Sequence, residues 1–261
     1  MDIKGTVTIV TGSSSGIGAA TVRRLASKGG NVVVNYSRSE GPARKVAEEC
    51  EAMGAEVLVC RADVSEDAEC RRLARETMDK WGRIDGLVNN AGTTKFVDHT
   101  DLDGLSAEDF LGIYKLNLVG PYQMIRAVAP HMKAGGRGGV VNVSSIAGVM
   151  GTGSSIAYAA SKGALNTMTL SLARALGPEI RINTVCPGFV AGEWLRQGLG
   201  AERYDNTLAN LKKNNALADV ATPETVAQAI VGFLENADLV TGEFMLVDGG
   251  GHLGAVPLRA R

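Results

Sequence analysis

A chain of 261 residues with 45% apolar and 21% charged side chains is long enough to bury a sizeable core in one α/β domain. Its 27 Lys and Arg against 28 Asp and Glu leave a formal charge of -1, and the cations are dispersed, which argues against nucleic acid or an anionic membrane surface as a partner. The cysteines at 50, 60, 70 and 186 form no C-x-x-C pair and the histidines at 99, 131 and 252 lie far apart, so reduced packing residues and no metal site are expected.

Met-Asp-Ile-Lys-Gly leads straight into an apolar run at 6–10 without a leader pattern, and no run reaches transmembrane length; a cytoplasmic protein is expected. After that first strand comes Thr11-Gly12-Ser13-Ser14-Ser15-Gly16-Ile17-Gly18 and then a helix to about residue 28. Strand, glycine turn and helix in this order form the setting of a dinucleotide site, where glycines let the backbone approach a pyrophosphate and free N–H groups at the helix start face its charge. Strands at 31–35, 56–60, 87–90, 139–143, 181–185 and 243–247 follow, interleaved with helices at 41–53, 66–81, 107–132, 156–176 and 223–234. Seven strands alternating with six helices predict a single-domain, doubly wound parallel sheet of the Rossmann kind, with helices on both faces and a ligand crevice at the strands' carboxyl ends. Gly12, Asp63, Asn89, Ser145 and Pro187 all fall at such ends.

Tyr158 and Lys162 stand four apart in a segment rich in Ala, Leu and Met, which puts phenol and ammonium on one helix face. A fixed cation beside a phenol favours phenolate and suits Tyr158 to acid/base work. Ser145, thirteen residues earlier at the end of an apolar strand, can polarise the carbonyl that Tyr158 protonates. Taken alone, such a Tyr/Lys pair is a common surface feature.

The company it keeps is what gives it weight. Thr11 to Gly18, Asp63, Asn89-Asn90-Ala91-Gly92, Asn117, Ser145, Tyr158 with Lys162, and Pro187-Gly188 together resemble the short-chain dehydrogenase/reductase family over nearly the whole chain. The resemblance implies hydride transfer between a nicotinamide cofactor and a carbonyl or alcohol. Tyr158 would be the acid/base, Ser145 would bond the substrate oxygen, and Lys162 would hold the nicotinamide ribose and depress the Tyr158 pKa. Asn117 would hold a water linking Lys162 to solvent, although an Asn inside a helix equally suits a kink or cap. Asp63 and Val64 would contact adenine; Asn89, Asn90, Ala91 and Gly92 would shape the crevice, largely as architecture. Where many relatives carry a Thr five residues after the Pro, this chain has Gly192, which leaves the carboxamide to backbone near Val190.

Within that resemblance the closest general likeness is to 3-oxoacyl-acyl-carrier-protein reductases and glucose-dehydrogenase-like members, implying a small or thioester-linked carbonyl substrate. A cofactor-sensing or scaffolding protein without turnover is the alternative. The end of the second strand, Val34-Asn35-Tyr36-Ser37-Arg38, holds no acid to bond a ribose 2′-hydroxyl, whereas Arg38, helped by Ser13, Ser14 and Ser37, can meet a 2′-phosphate; NADP is expected, with NAD the alternative if Glu40 swings in. Residues 191–217 are expected to form a flexible substrate lid, with Phe96, Trp194 and Tyr204 hinting at an apolar pocket and Lys212 and Lys213 at a basic rim. The family habit of pairing the two long helices, and then the last helix and strand, implies a homotetramer.

Overall fold

The computed structural model describes residues 1–254; the part of the C-terminal tail beyond Gly254, expected to reach a neighbouring subunit or stay disordered, lies outside the described residues. Seven strands, β1 (Val7–Val10), β2 (Asn31–Tyr36), β3 (Val57–Arg61), β4 (Gly86–Asn89), β5 (Gly138–Val143), β6 (Ile180–Pro187) and β7 (Phe244–Val247), form one sheet. Their order is β3-β2-β1-β4-β5-β6-β7 and every neighbouring pair is parallel. The order reverses between β1 and β4, which opens a crevice at their carboxyl ends.

The sequence reads as continuous apolar runs because both sheet faces are covered. Val32 and Val34 point into one core with the inner faces of α1 (Gly16–Ser27), α2 (Glu40–Glu51) and α10 (Pro223–Glu235). Val33, between them, points the other way, into the core under α3 (Asp67–Trp81), α5 (Gly120–Ala134) and α7 (Ile156–Leu176). The two-residue period of the strand thus serves two cores at once.

The single helix expected at 107–132 is interrupted. Capped by Ser106, α4 (Ala107–Tyr114) passes into a π-helical stretch at Lys115–Val119 before α5 continues. A short helix α6 (Ala147–Met150) follows Ser145. The expected flexible lid is instead two helices, α8 (Glu193–Leu199) and α9 (Ala201–Asn214). The two stems of this excursion are tied together: Val190 and Ala221 form a parallel bridge, and Ala191 N–H donates to the Ala221 carbonyl over 2.8 Å. Its trailing stem also bonds the turn after β7, through Asn215 Nδ2 to the Asp248 carbonyl at 3.1 Å and Leu217 N–H to the Gly249 carbonyl at 2.9 Å.

Candidate active site

The cleft lies along the carboxyl ends of β1, β2, β4, β5 and β6 and has a volume of about 1010 Å³. At its floor Thr11 Oγ1 accepts the N–H groups of Asn90 and Ala91, each at 3.0 Å, and so lashes the end of β1 to that of β4. Gly12 turns with φ 61°, and a side chain there would also press on Ala91 Cα at 3.0 Å. Gly18 is demanded by space: a Cβ would lie 2.6 Å from both Asn90 Nδ2 and the Gly12 carbonyl.

Asn35 sets the turn. Buried at the end of β2, it accepts the Gly12 N–H through Oδ1 at 3.0 Å and donates through Nδ2 to the carbonyls of Cys60 at 3.2 Å and Ala62 at 3.0 Å. Ser13 is also buried, its hydroxyl given to the Val10 carbonyl at 2.7 Å, so it does not face a ligand as expected. Ser14 does not line the cleft either; Ser15, Gly16 and Ile17 do. No side chain caps α1 at Ser15, in contrast to the Ser155 cap of α7 and the Thr222 cap of α10. The N–H groups that a helix start leaves unbonded therefore open onto the cleft, a cradle that fits a diphosphate.

Further along, Ser37 and Arg38 line the cleft, as do Asp63 and Val64. Arg38 makes no ion pair or hydrogen bond among the described residues, while Glu40 is held at 2.7 Å by Arg44 on its own helix rather than swung toward the cleft. Asp63 is braced by its neighbours, its Oδ1 accepting the Ser65 N–H at 3.0 Å.

At the far end, Ser145, Tyr158 and Lys162 meet on the cleft wall with Pro187, Gly188 and Val190. Ser155 caps α7 by accepting the Tyr158 N–H, which fixes the helix turn that carries the phenol. Burial pushes the Tyr158 phenol up to about 12, opposed by its hydrogen bond with Ser145. The expected depression by Lys162 is not seen. The ammonium lies over the Tyr158 ring, 5.6 Å from its centroid, and donates to the Val143 carbonyl at 2.8 Å. Lys162 itself is buried, and desolvation lowers it to about 8.

Asn117 is fully buried in the π-helical stretch and does not itself line the cleft. Its Oδ1 accepts the Thr93 N–H at 2.8 Å, and its Nδ2 donates to the Thr93 carbonyl at 2.9 Å and to Ser161 Oγ at 3.1 Å. Both amide protons are spent on this brace, so the kink foreseen as a rival to the water relay is present. Asn89 bonds Asn142 across the sheet at 2.9 Å, an architectural role. No group of metal-ligating side chains is found among the described residues, and no helix there is long and apolar enough to cross a membrane.

Sequence reasoning missed Asn35 as the anchor of the glycine turn and Thr93 as the partner of Asn117; Cys186 is, as expected, a free packing thiol. This last thiol is buried beside Lys162, and burial pushes it up to about 11.

The chain and its fold have known counterparts. The family model described as short chain dehydrogenase matches residues 6–201. A granaticin polyketide synthase ketoacyl reductase of Streptomyces violaceoruber is 42% identical over 247 residues, covering 95% of this chain and 96% of its own. The 3-oxoacyl-[acyl-carrier-protein] reductase of Synechocystis is 37% identical over 94% of this chain and 96% of its own. Among solved structures, a short-chain dehydrogenase/reductase from Burkholderia xenovorans superposes with a TM-score of 0.89 at 39% identity, over 96% of this chain and 99% of that one. Levodione reductase reaches the same TM-score of 0.89 at 26% identity. A family match over most of the chain, a seven-stranded sheet with its crevice at the β1/β4 switch, and relatives that are oxidoreductases set the sensing alternative aside: the chain belongs to the short-chain dehydrogenase/reductase family, NAD(P)-dependent enzymes acting on a CH–OH group or its ketone.

Proposed function

We propose that the protein is an NADP(H)-dependent carbonyl reductase in which Tyr158 is the proton donor. The observation that carries this reading is the meeting of Ser145, Tyr158 and Lys162 on one wall of the cleft whose other end is the uncapped glycine turn. A protonated phenol is the form that carbonyl reduction consumes, and relatives named as ketoacyl reductases agree with that direction.

The substrate oxygen would be bonded by Ser145 Oγ and would take the Tyr158 proton as the carbonyl carbon gains hydride, giving the alcohol. A reduced nicotinamide, when bound, supplies that hydride. Gly12, Gly16 and Ile17 would cradle its diphosphate, Asp63 and Val64 would flank adenine, and Lys162 would hold the nearby ribose. The carboxamide would meet backbone at Pro187, Gly188 and Val190; Gly192 gives its N–H to the Tyr204 hydroxyl at 3.1 Å. Lys162, lowered to about 8 and still largely charged at neutrality, would place positive charge beside Tyr158 as the phenol gives up its proton. Asn117 would act by bracing the Thr93 loop, with a water left to its remaining Oδ1 lone pair or its backbone carbonyl.

Preference for NADP rests on Arg38 and Ser37 at the cleft, with buried Asn35 in place of an acid and Glu40 occupied by Arg44. NADPH should raise the unfolding temperature more than NADH at matched concentration, and Arg38→Ala should abolish the difference. A larger shift with NADH overturns the preference. Tyr158→Phe removes one hydroxyl and should cut turnover by about 10²–10⁴-fold while cofactor affinity stays within a few-fold. Turnover comparable to the parent would sink the mechanism.

A further inference from the structure

The substrate end of the cleft carries aromatic surface that the reductase chemistry does not use. Trp194, on α8, lies 6.5 Å from Tyr158 between ring centroids, tilted at 46°, and 5.6 Å from Phe96. These spacings lie in the range of attractive aromatic pairs. Phe96 and Tyr158 therefore both pack against the indole. Yet Trp194 remains 52% exposed, and it lines the cleft beside the proton donor. An indole held by two rings yet half exposed, on the cleft that also carries the reacting hydroxyl, presents flat apolar surface to whatever approaches.

The placement is built rather than incidental. Gly198 lies one turn beyond Trp194 on the same short helix, and a Cβ there would fall 2.1 Å from two atoms of the Phe96 ring. Glycine at 198 is what allows α8 to rest on Phe96, and Phe96 is what holds Trp194. Leu195, Leu199 and Leu211 line the same region, together with Glu193, Arg203 and Thr207.

Resting on the reductase reading above, we infer that the substrate is a ketone carried on or fused to a flat, unsaturated ring system, which stacks on the exposed part of the Trp194 indole while its carbonyl meets Ser145 and Tyr158. Trp194 is then a specificity-determining residue, and Phe96 and Gly198 are positioning residues that act through it. The reaction balances as reduction: the ring carbonyl carbon gains a hydride from the nicotinamide cofactor, its oxygen gains the Tyr158 proton, and a secondary alcohol leaves.

The test compares two probes of the intact enzyme, 1-tetralone as a flat fused-ring ketone and ethyl acetoacetate as an open-chain ketone. The parent should favour 1-tetralone in kcat/KM. Trp194→Ala should lower kcat/KM for 1-tetralone by about 10-fold, chiefly through KM, and leave ethyl acetoacetate within about two-fold. Trp194→Phe should restore most of the preference. Gly198→Ala should reproduce the loss in part, since the added methyl must displace the Phe96 ring. Equal losses on both probes, or a parent that prefers the open-chain ester, overturn the inference while leaving the reductase reading intact. Binding is followed in parallel by the quenching of Trp194 fluorescence in a Trp81→Phe background. Saturable quenching by 1-tetralone and not by ethyl acetoacetate, without turnover of either, would keep the stacking face and sink the reductase reading; absence of saturable quenching by 1-tetralone sinks the stacking face.

Discussion

Asn35 shows how much a single buried amide can decide. Its Oδ1 fixes the glycine turn and its Nδ2 satisfies two β3-side carbonyls, so Asn35→Ala strands three backbone groups. A loss of about 1–3 kcal/mol is expected, measurable as a denaturation midpoint shift, together with weaker cofactor binding because the turn loses its anchor. Lys162 offers a second prediction at this scale. Its folded value of about 8 lies below its unfolded 10.5, so between those values the unfolded chain binds more protons than the folded one. Its own contribution to stability, read as the difference between parent and Lys162→Met, should therefore rise with pH from about 8 to about 10, while Tyr158, held at about 12, and the four buried thiols, held at about 11 to 12 against an unfolded 9, each lower stability as pH climbs through their unfolded values. Chemical denaturation of both proteins at a series of pH values would register that difference. The meeting of Ser145, Tyr158 and Lys162 on the cleft wall was legible in the sequence because they stand at fixed spacing on a strand end and a helix. The electrostatics were not, because the sequence cannot say that the ammonium would point at the Val143 carbonyl and lie over the ring.

Among the elements, α7 carries the phenol and depends on its first turn. Ser155 both caps the helix and accepts the Tyr158 N–H, so Ser155→Ala should cost about 1 kcal/mol, or about 2–4 °C in unfolding temperature, and lower kcat more than cofactor affinity. Unchanged kcat in that variant would show that the cap does not position Tyr158. Most elements were readable from pattern: strands buried on both faces gave unbroken apolar runs, and helices followed each one. Two were not. The break at Lys115–Val119 follows from the pairing of Asn117 with Thr93, a contact between segments that local propensity does not encode. The helix α9 did leave a trace, since Tyr204, Leu208 and Leu211 recur at helical spacing, but its charged remainder gave it the look of a loop.

At the scale of the whole molecule, the described surface leaves large apolar side chains exposed on α4 and β7. Leu111 on α4 is 70% exposed and Met245 on the edge strand β7 is 40% exposed, above a groove that also takes in Phe233 and Phe244. We expect light scattering at micromolar concentration to give a tetramer, and Met245→Glu to lower the mass by opposing burial of that edge. A monomer mass for the parent would refute the assembly.

The clasp between Val190, Ala191 and Ala221 makes the segment it encloses a cassette. Its two ends meet at this bridge, beyond the end of β6 and just before α10, so exchanging α8 and α9 for those of a relative while keeping the bridge and the Asn215 and Leu217 bonds to the turn after β7 should leave the strand register and the cofactor turn unchanged. Such grafts should transfer substrate preference while cofactor affinity stays with the recipient. In hydrogen exchange, the amides of α8 and α9 should open as one cooperative unit while the Ala191 amide, bonded within the clasp, remains protected.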